Sequence, residues 1–154
     1  MSNIRCEKTT IAIYPAILQA AISDVKRKIG VCDDGIEWII FDEKDHMAKE
    51  CGNNLCVPSF MYKMKYGYCY IKEKQIYIST AAISNNIAEF AGKMPGIVML
   101  PKRKNGIFLV NVILDELAHI KTGKGHNSKI YNDTLARYHS CYYGATYGYA
   151  RMYG

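Results

Sequence analysis

A chain of 154 residues, 49% of them hydrophobic, is long enough for one compact domain around one core. No run approaches the roughly 18 uninterrupted apolar residues of a membrane span. The start, Met1 to Lys8, lacks the apolar stretch of a secretory signal, so the expectation is a cytoplasmic, intracellular protein with no membrane partner. The net charge of +6 is unevenly spread: residues 1–50 carry 7 basic and 9 acidic side chains, residues 51–154 carry 13 and 5. A basic C-terminal two-thirds is compatible with a nucleic-acid partner and equally with a solvated lysine-rich surface.

The six cysteines are Cys6, Cys32, Cys51, Cys56, Cys69 and Cys141. With no secretory signal and enough length for a core, they are expected as reduced thiols. Cys51 and Cys56, with His46 nearby, do not have the spacing of a zinc knuckle, and an ordinary loop is the preferred reading there. The Lys-, Ile-, Asn- and Tyr-rich composition fits an AT-rich coding sequence, as in a virus expressed in its host cell.

In chain order, Ile17, Leu18, Ala21, Ile22 and Val25 recur at helical spacing. Thr9 or Thr10 precedes them, Lys26-Arg27-Lys28 fall at the dipole's negative end, and Gly30 follows, which predicts a helix over 14–29. Ile36 to Phe41 is short, β-branched and aromatic, hence a strand. The polar stretch from Asp42 to Pro58 reads as an irregular loop. Tyr66 to Ile71, the polar turn Lys72-Glu73-Lys74, and Gln75 to Ser79 read as a hairpin. A short helix over 81–91 is expected next, broken by Gly92, Pro95 and Gly96.

From Asn105 onward, Ile107, Leu109, Val110, Ile113, Leu114, Leu117 and Ala118 make the broad apolar stripe of a buried helix ending near Gly123. Asn127 or Ser128 caps a last helix reaching about Tyr142. Residues 1–142 are therefore one domain, and 143–154 a Tyr/Gly-rich tail.

The chemistry concentrates on the buried helix. Asp115 and His119 are four apart, so they project from one face, one turn above the other. Gly123 and Gly125 let the backbone reverse and return His126 toward that face. Two imidazoles and a carboxylate suit zinc, Zn²⁺, and three protein ligands leave a fourth position for water. Glu116 stands beside them, the place for a base that takes a proton from attacking water. Charged groups on an apolar helix are costly unless partners or a metal satisfy them. The plain alternative is a helix C-terminus with a surface Asp-Glu pair and a histidine near the last carbonyls.

Val112-Ile113-Leu114-Asp115-Glu116-Leu117-Ala118-His119, followed by Gly125-His126-Asn127-Ser128 and Tyr131, resembles the active-site segment of SprT-like zinc metallopeptidases. That family carries an HExxH helix, a Gly-His step, and an aromatic residue one turn on. Tyr68-Cys69-Tyr70 and Gln75 to Ser79 also look like its edge strand ending in Ser. The resemblance implies an α+β, zincin-like fold, a small mixed sheet with an edge hairpin packed on the active-site helix. It implies Glu116 as general base, zinc held by His119 and His126, and a protein or peptide substrate. Asp115 stands where the family has its first histidine. Either it replaces that ligand, or the chain is a catalytically inactive zincin-like module. No cysteine pair suited to a zinc ribbon follows His126. A metal-dependent ribonuclease of the YbeY-like kind is a further alternative, disfavoured by Glu116. His139 on the last helix, Tyr131 and the basic turn Lys102-Arg103-Lys104 read as packing or surface residues.

Overall fold

In a computed structural model of the chain, residues 1–7, 13–42, 66–84 and 108–144 are described. They form a mixed α+β arrangement. The elements are β1 (Asn3–Cys6), α1 (Ile13–Ile29), β2 (Glu37–Phe41), β3 (Gly67–Tyr70), β4 (Gln75–Ser79), α2 (Phe108–Thr122) and α3 (Lys129–Tyr143).

The four strands lie in the order β1-β2-β4-β3. β1 pairs parallel with β2 from Asn3 opposite Glu37, and β2 pairs parallel with β4 from Glu37 opposite Gln75. β3 closes one edge antiparallel to β4, with Tyr68 opposite Tyr77. The hairpin therefore forms as expected, but its Ser79-ending strand is interior and the edge belongs to β3. β1 is unexpected from the sequence: three of its four residues are exposed, so no apolar alternation marks it.

Side-chain alternation along the strands sends Trp38, Ile40, Ile76 and Ile78 toward the helices, where they join Leu18, Ile22, Leu109, Ile113 and Leu117 in one core. β2 is buried at every position from Trp38 to Phe41, the pattern of a central strand covered on both faces. α1 begins one residue before its expected start. It tolerates Pro15 because the first turn has no intrahelical partner for that N–H. It ends at Gly30, whose φ of 69° favours glycine.

The turn after α1 is tied to the sheet by one buried carboxylate. Asp33, 5% exposed, takes a 2.6 Å ion pair from Lys26 Nζ and a 2.9 Å hydrogen bond from Trp38 Nε1. Burial pushes its pKa up, but the hydrogen bonds from Lys26 and Trp38 outweigh this and the net shift is downward.

A helical segment starts at residue 80, its backbone held at Ala82 N by Ser79 Oγ, 3.1 Å away. The expected loop over 42–58, the remainder of the 81–91 helix, Cys51, Cys56 and the Lys102-Arg103-Lys104 turn lie outside the described residues, Asp42 excepted. Cys6, Cys32, Cys69 and Cys141 are free thiols. α3 runs through Tyr143, one residue into the expected tail, and Tyr143 Oη donates to Asn111 Oδ1 on α2 at 2.6 Å. Among the described residues, no helix is long and apolar enough to cross a membrane.

Candidate metal centre

α2 buries Leu109, Val110, Ile113, Leu114, Leu117 and Ala118, and with them Glu116 and His119. Glu116 is 4% exposed and His119 8%. The chain leaves the helix through backbone and side-chain bonds. Thr122 Oγ1 donates to Ala118 O at 2.8 Å, and Gly123 N donates to His119 O at 2.8 Å. Gly123 has φ 67°, so it supplies the reversal. Gly125 has no such φ and open space at its Cβ position, so the turn does not need a glycine there. Ser128, rather than Asn127, caps α3: its Oγ accepts from Tyr131 N.

This corner brings three donors together. One ligand atom each from Asp115, His119 and His126 lies within 4.8 Å of the other two. The two Nε2 atoms of His119 and His126 are 3.3 Å apart, and Asp115 Oδ1 is 3.9 Å from His119 Nε2. His119 Nδ1 lies 2.7 Å from the carbonyl of Lys124. A carbonyl only accepts, so Nδ1 carries the proton and the Nε2 lone pair of the neutral ring faces the other donors. Fixing one imidazole nitrogen in this way is how metal-binding histidines are oriented. Tyr131 stacks on His119 at 4.2 Å between centroids and 14° between planes, and meets the edge of His126 at 5.1 Å and 80°. It is core, 1% exposed, and also the wall that holds both rings.

The donor set fits a zinc ion. With Nδ1 of His119 protonated, its Nε2 faces His126 Nε2 as a lone pair, a contact that takes either a proton from His126 or a cation between the two nitrogens. A tetrahedral zinc with Zn–N of about 2.0–2.1 Å sets its two nitrogen ligands about 3.3 Å apart, the separation found between His119 and His126. Burial raises the pKa of Asp115, against the opposing pull of His119 and His126.

Glu116 stays out of the triad and faces β3. A Cβ placed on Gly67 would come within 2.6 Å of Val112 Cγ1, 3.2 Å of Tyr77 O and 3.5 Å of Glu116 Cγ. The absence of a side chain at Gly67 is therefore what lets β3 settle on α2. The Cys69 thiol stands next to the Glu116 carboxylate and favours its charged form, while Glu116 Oε2 is buried with no hydrogen-bond partner. Burial first, then the charge of Asp115, pushes the Glu116 carboxyl up to about 8, and Cys69 only partly offsets this. Burial and then the Glu116 charge push the Cys69 thiol up to about 12, so it remains protonated at neutral pH.

The four residues singled out from the sequence are thus in one neighbourhood: Asp115, His119 and His126 as a donor triad, Glu116 buried beside it. Gly67, Cys69 and the Lys124 carbonyl were not given roles from the sequence. The Tyr-Gly-Tyr run in an otherwise bulky strand is the one signal of close approach at Gly67. His139, half-buried on α3, has its Nδ1 buried without a partner and its ring 5.8 Å from that of Tyr143. Compared with family models, curated proteins and solved structures, the chain finds no match.

Proposed function

We propose that the chain is a zinc-dependent metallopeptidase of SprT-like, zincin-like type, holding Zn²⁺ through Asp115, His119 and His126 and cleaving a protein or peptide substrate. The observation that carries this reading is the convergence of three donors, with His119 Nδ1 fixed on the Lys124 carbonyl and its Nε2 3.3 Å from that of His126. When bound, the ion supplies a Lewis acid that makes water nucleophilic near neutral pH. Glu116 takes up the proton released as the peptide carbonyl is attacked and returns it to the leaving amine. A carboxyl raised to about 8 binds a proton more firmly than an ordinary glutamate, which suits the proton-accepting half of that shuttle. With a cation held by Asp115, His119 and His126, Glu116 would titrate lower, ionised to accept the proton and readier to donate it to the amine afterwards. Tyr131 and the Lys124 carbonyl hold the imidazoles in place throughout.

One observation favours a second reading, a catalytically inactive zincin-like module. Glu116 is 4% exposed and lies beside Cys69 beneath β3, so a base used in catalysis must gain access to water. The two readings separate on purified protein. Stoichiometric zinc together with casein or self-cleavage that disappears in Glu116→Gln supports the peptidase. Stoichiometric zinc with no Glu116-dependent cleavage supports the module, and absence of bound zinc overturns both.

A further inference from the structure

His126 is the donor with the least support from regular structure. It lies in an exposed turn between α2 and α3, and among the described residues its ring packs on Tyr131 and His119, with its Nε2 facing that of His119. Its backbone is held by a side chain from the next helix. Asn132 Nδ2 donates to the His126 carbonyl at 2.9 Å and to the Ser128 carbonyl at 3.0 Å. Both partners are carbonyl oxygens, so only the amide nitrogen can serve, and both of its protons are used. Ser128 O also receives the first backbone bond of α3, from Asn132 N at 3.1 Å. One residue therefore closes the six-residue step back to His126 and fastens it to the helix that carries Tyr131.

We infer that Asn132 is the positioning residue of the metal centre: its amide clamps the His126 turn to the start of α3 and so sets the place of the third donor. This rests on the metal-site reading above. It predicts a large effect from a group that touches no metal, because partners that orient ligands change metal affinity by about 10- to 100-fold when removed.

Asn132→Asp is the sharpest variant. It keeps the shape of the side chain but replaces the two donating protons with a carboxylate that faces two carbonyls. It also brings a negative charge near a cation site, which by Coulomb's law alone tightens binding. The positioning role and the bare charge effect thus predict opposite signs. Asn132→Ala removes the clamp without adding charge, and Asn127→Asp adds a charge beside His126 without touching the clamp.

The full-length chain is titrated with Zn²⁺ by calorimetry and with Co²⁺ by visible absorption, which reports ligand geometry. Circular dichroism of the metal-free proteins accompanies both. The expected result is weakening by about 10- to 100-fold in Asn132→Asp and Asn132→Ala. The Co²⁺ spectrum shifts in both variants, the helical signal is preserved, and Asn127→Asp binds no more weakly than wild type. Asn132→Asp or Asn132→Ala binding as tightly as wild type overturns the role of Asn132 and leaves the metal site standing. Loss of the helical signal in both variants, with no weakening beyond the unfolded fraction, likewise overturns it. A wild-type chain that binds neither ion overturns the site itself.

Discussion

Two carboxylates are almost equally hidden from the surface among the described residues, and their pKa values shift in opposite directions. Asp33, 5% exposed, receives Lys26 and Trp38, and its pKa falls. Glu116, 4% exposed, has the neighbouring charge of Asp115, one thiol beside it and an orphan oxygen, and its pKa rises to about 8. Burial pushes both values up, but Glu116 lies deeper in the protein, and only Asp33 has enough donors to reverse the shift. A carboxylate that is fully provided for is a fastening, here of α1 to the sheet. One left short of donors keeps a proton within reach, and it is the one beside the donor triad.

Under the proposed peptidase reading, that contrast breaks most visibly in catalysis. Glu116→Gln is expected to reduce peptide cleavage by about 100- to 10,000-fold, while zinc content, measured by elemental analysis, stays near wild type. Retained cleavage would assign the base elsewhere. In the metal-free protein the same change is expected to raise the melting temperature. A folded-state pKa of about 8 against 4.5 means the native state favours the protonated form. Its contribution is complete below pH 4.5 and is lost as pH rises toward 8. Glu116→Gln should therefore flatten stability over that window and gain most at its alkaline end.

Asp33→Asn tests the other side. Breaking a buried pair costs about 3–5 kcal/mol. Because Lys26 is 29% exposed here, about 2 kcal/mol is the expected loss in urea unfolding. The sign of its pH dependence is opposite to that of Glu116. With a depressed folded pKa, Asp33 stabilises above the unfolded value of 3.8 and loses that contribution as pH falls below it. Wild-type acid unfolding should soften in Asp33→Asn, and unchanged acid behaviour would remove Asp33 as a fastening.

Gly67→Ala probes how Glu116 is covered. The new Cβ meets Val112 Cγ1 at 2.6 Å, for an expected cost of about 1–3 kcal/mol. Adding Val112→Ala should recover part of it; no recovery would place the conflict at the Tyr77 carbonyl instead. The smallest effect separates the two turn glycines. Gly123→Ala, at φ 67°, is expected to cost about 1 kcal/mol, and Gly125→Ala to be close to neutral by thermal unfolding.

What was legible in the sequence follows from the range of each signal. α1, α2 and α3 were visible because helical periodicity and caps are local, down to Ser128 before Lys129. The hairpin was visible because its turn is short. β1 was missed because Asn3 to Cys6 becomes a strand only through parallel pairing with β2, and no pattern in its own four residues announces that. For the same reason the interior position of β4 could not be read from the hairpin. The donor triad was legible from i, i+4 spacing and a glycine turn, although one of the two glycines credited with the reversal is dispensable. Cys69 and Gly67 escaped because their roles depend on where β3 lands on α2. The Lys124 carbonyl escaped because a backbone oxygen leaves no mark in side-chain identity.

That backbone oxygen has one more consequence. The atom that orients His119 belongs to residue 124, whose side chain is exposed and takes no part in the bond. The support of the proposed metal centre is thereby uncoupled from side-chain choice at 124: any residue other than proline with the same φ and ψ presents the same carbonyl. Substitution there can alter the charge at the rim of the site, from lysine to neutral to acidic, without disturbing the imidazole. Position 124 is thus open to evolutionary drift and to deliberate retuning alike.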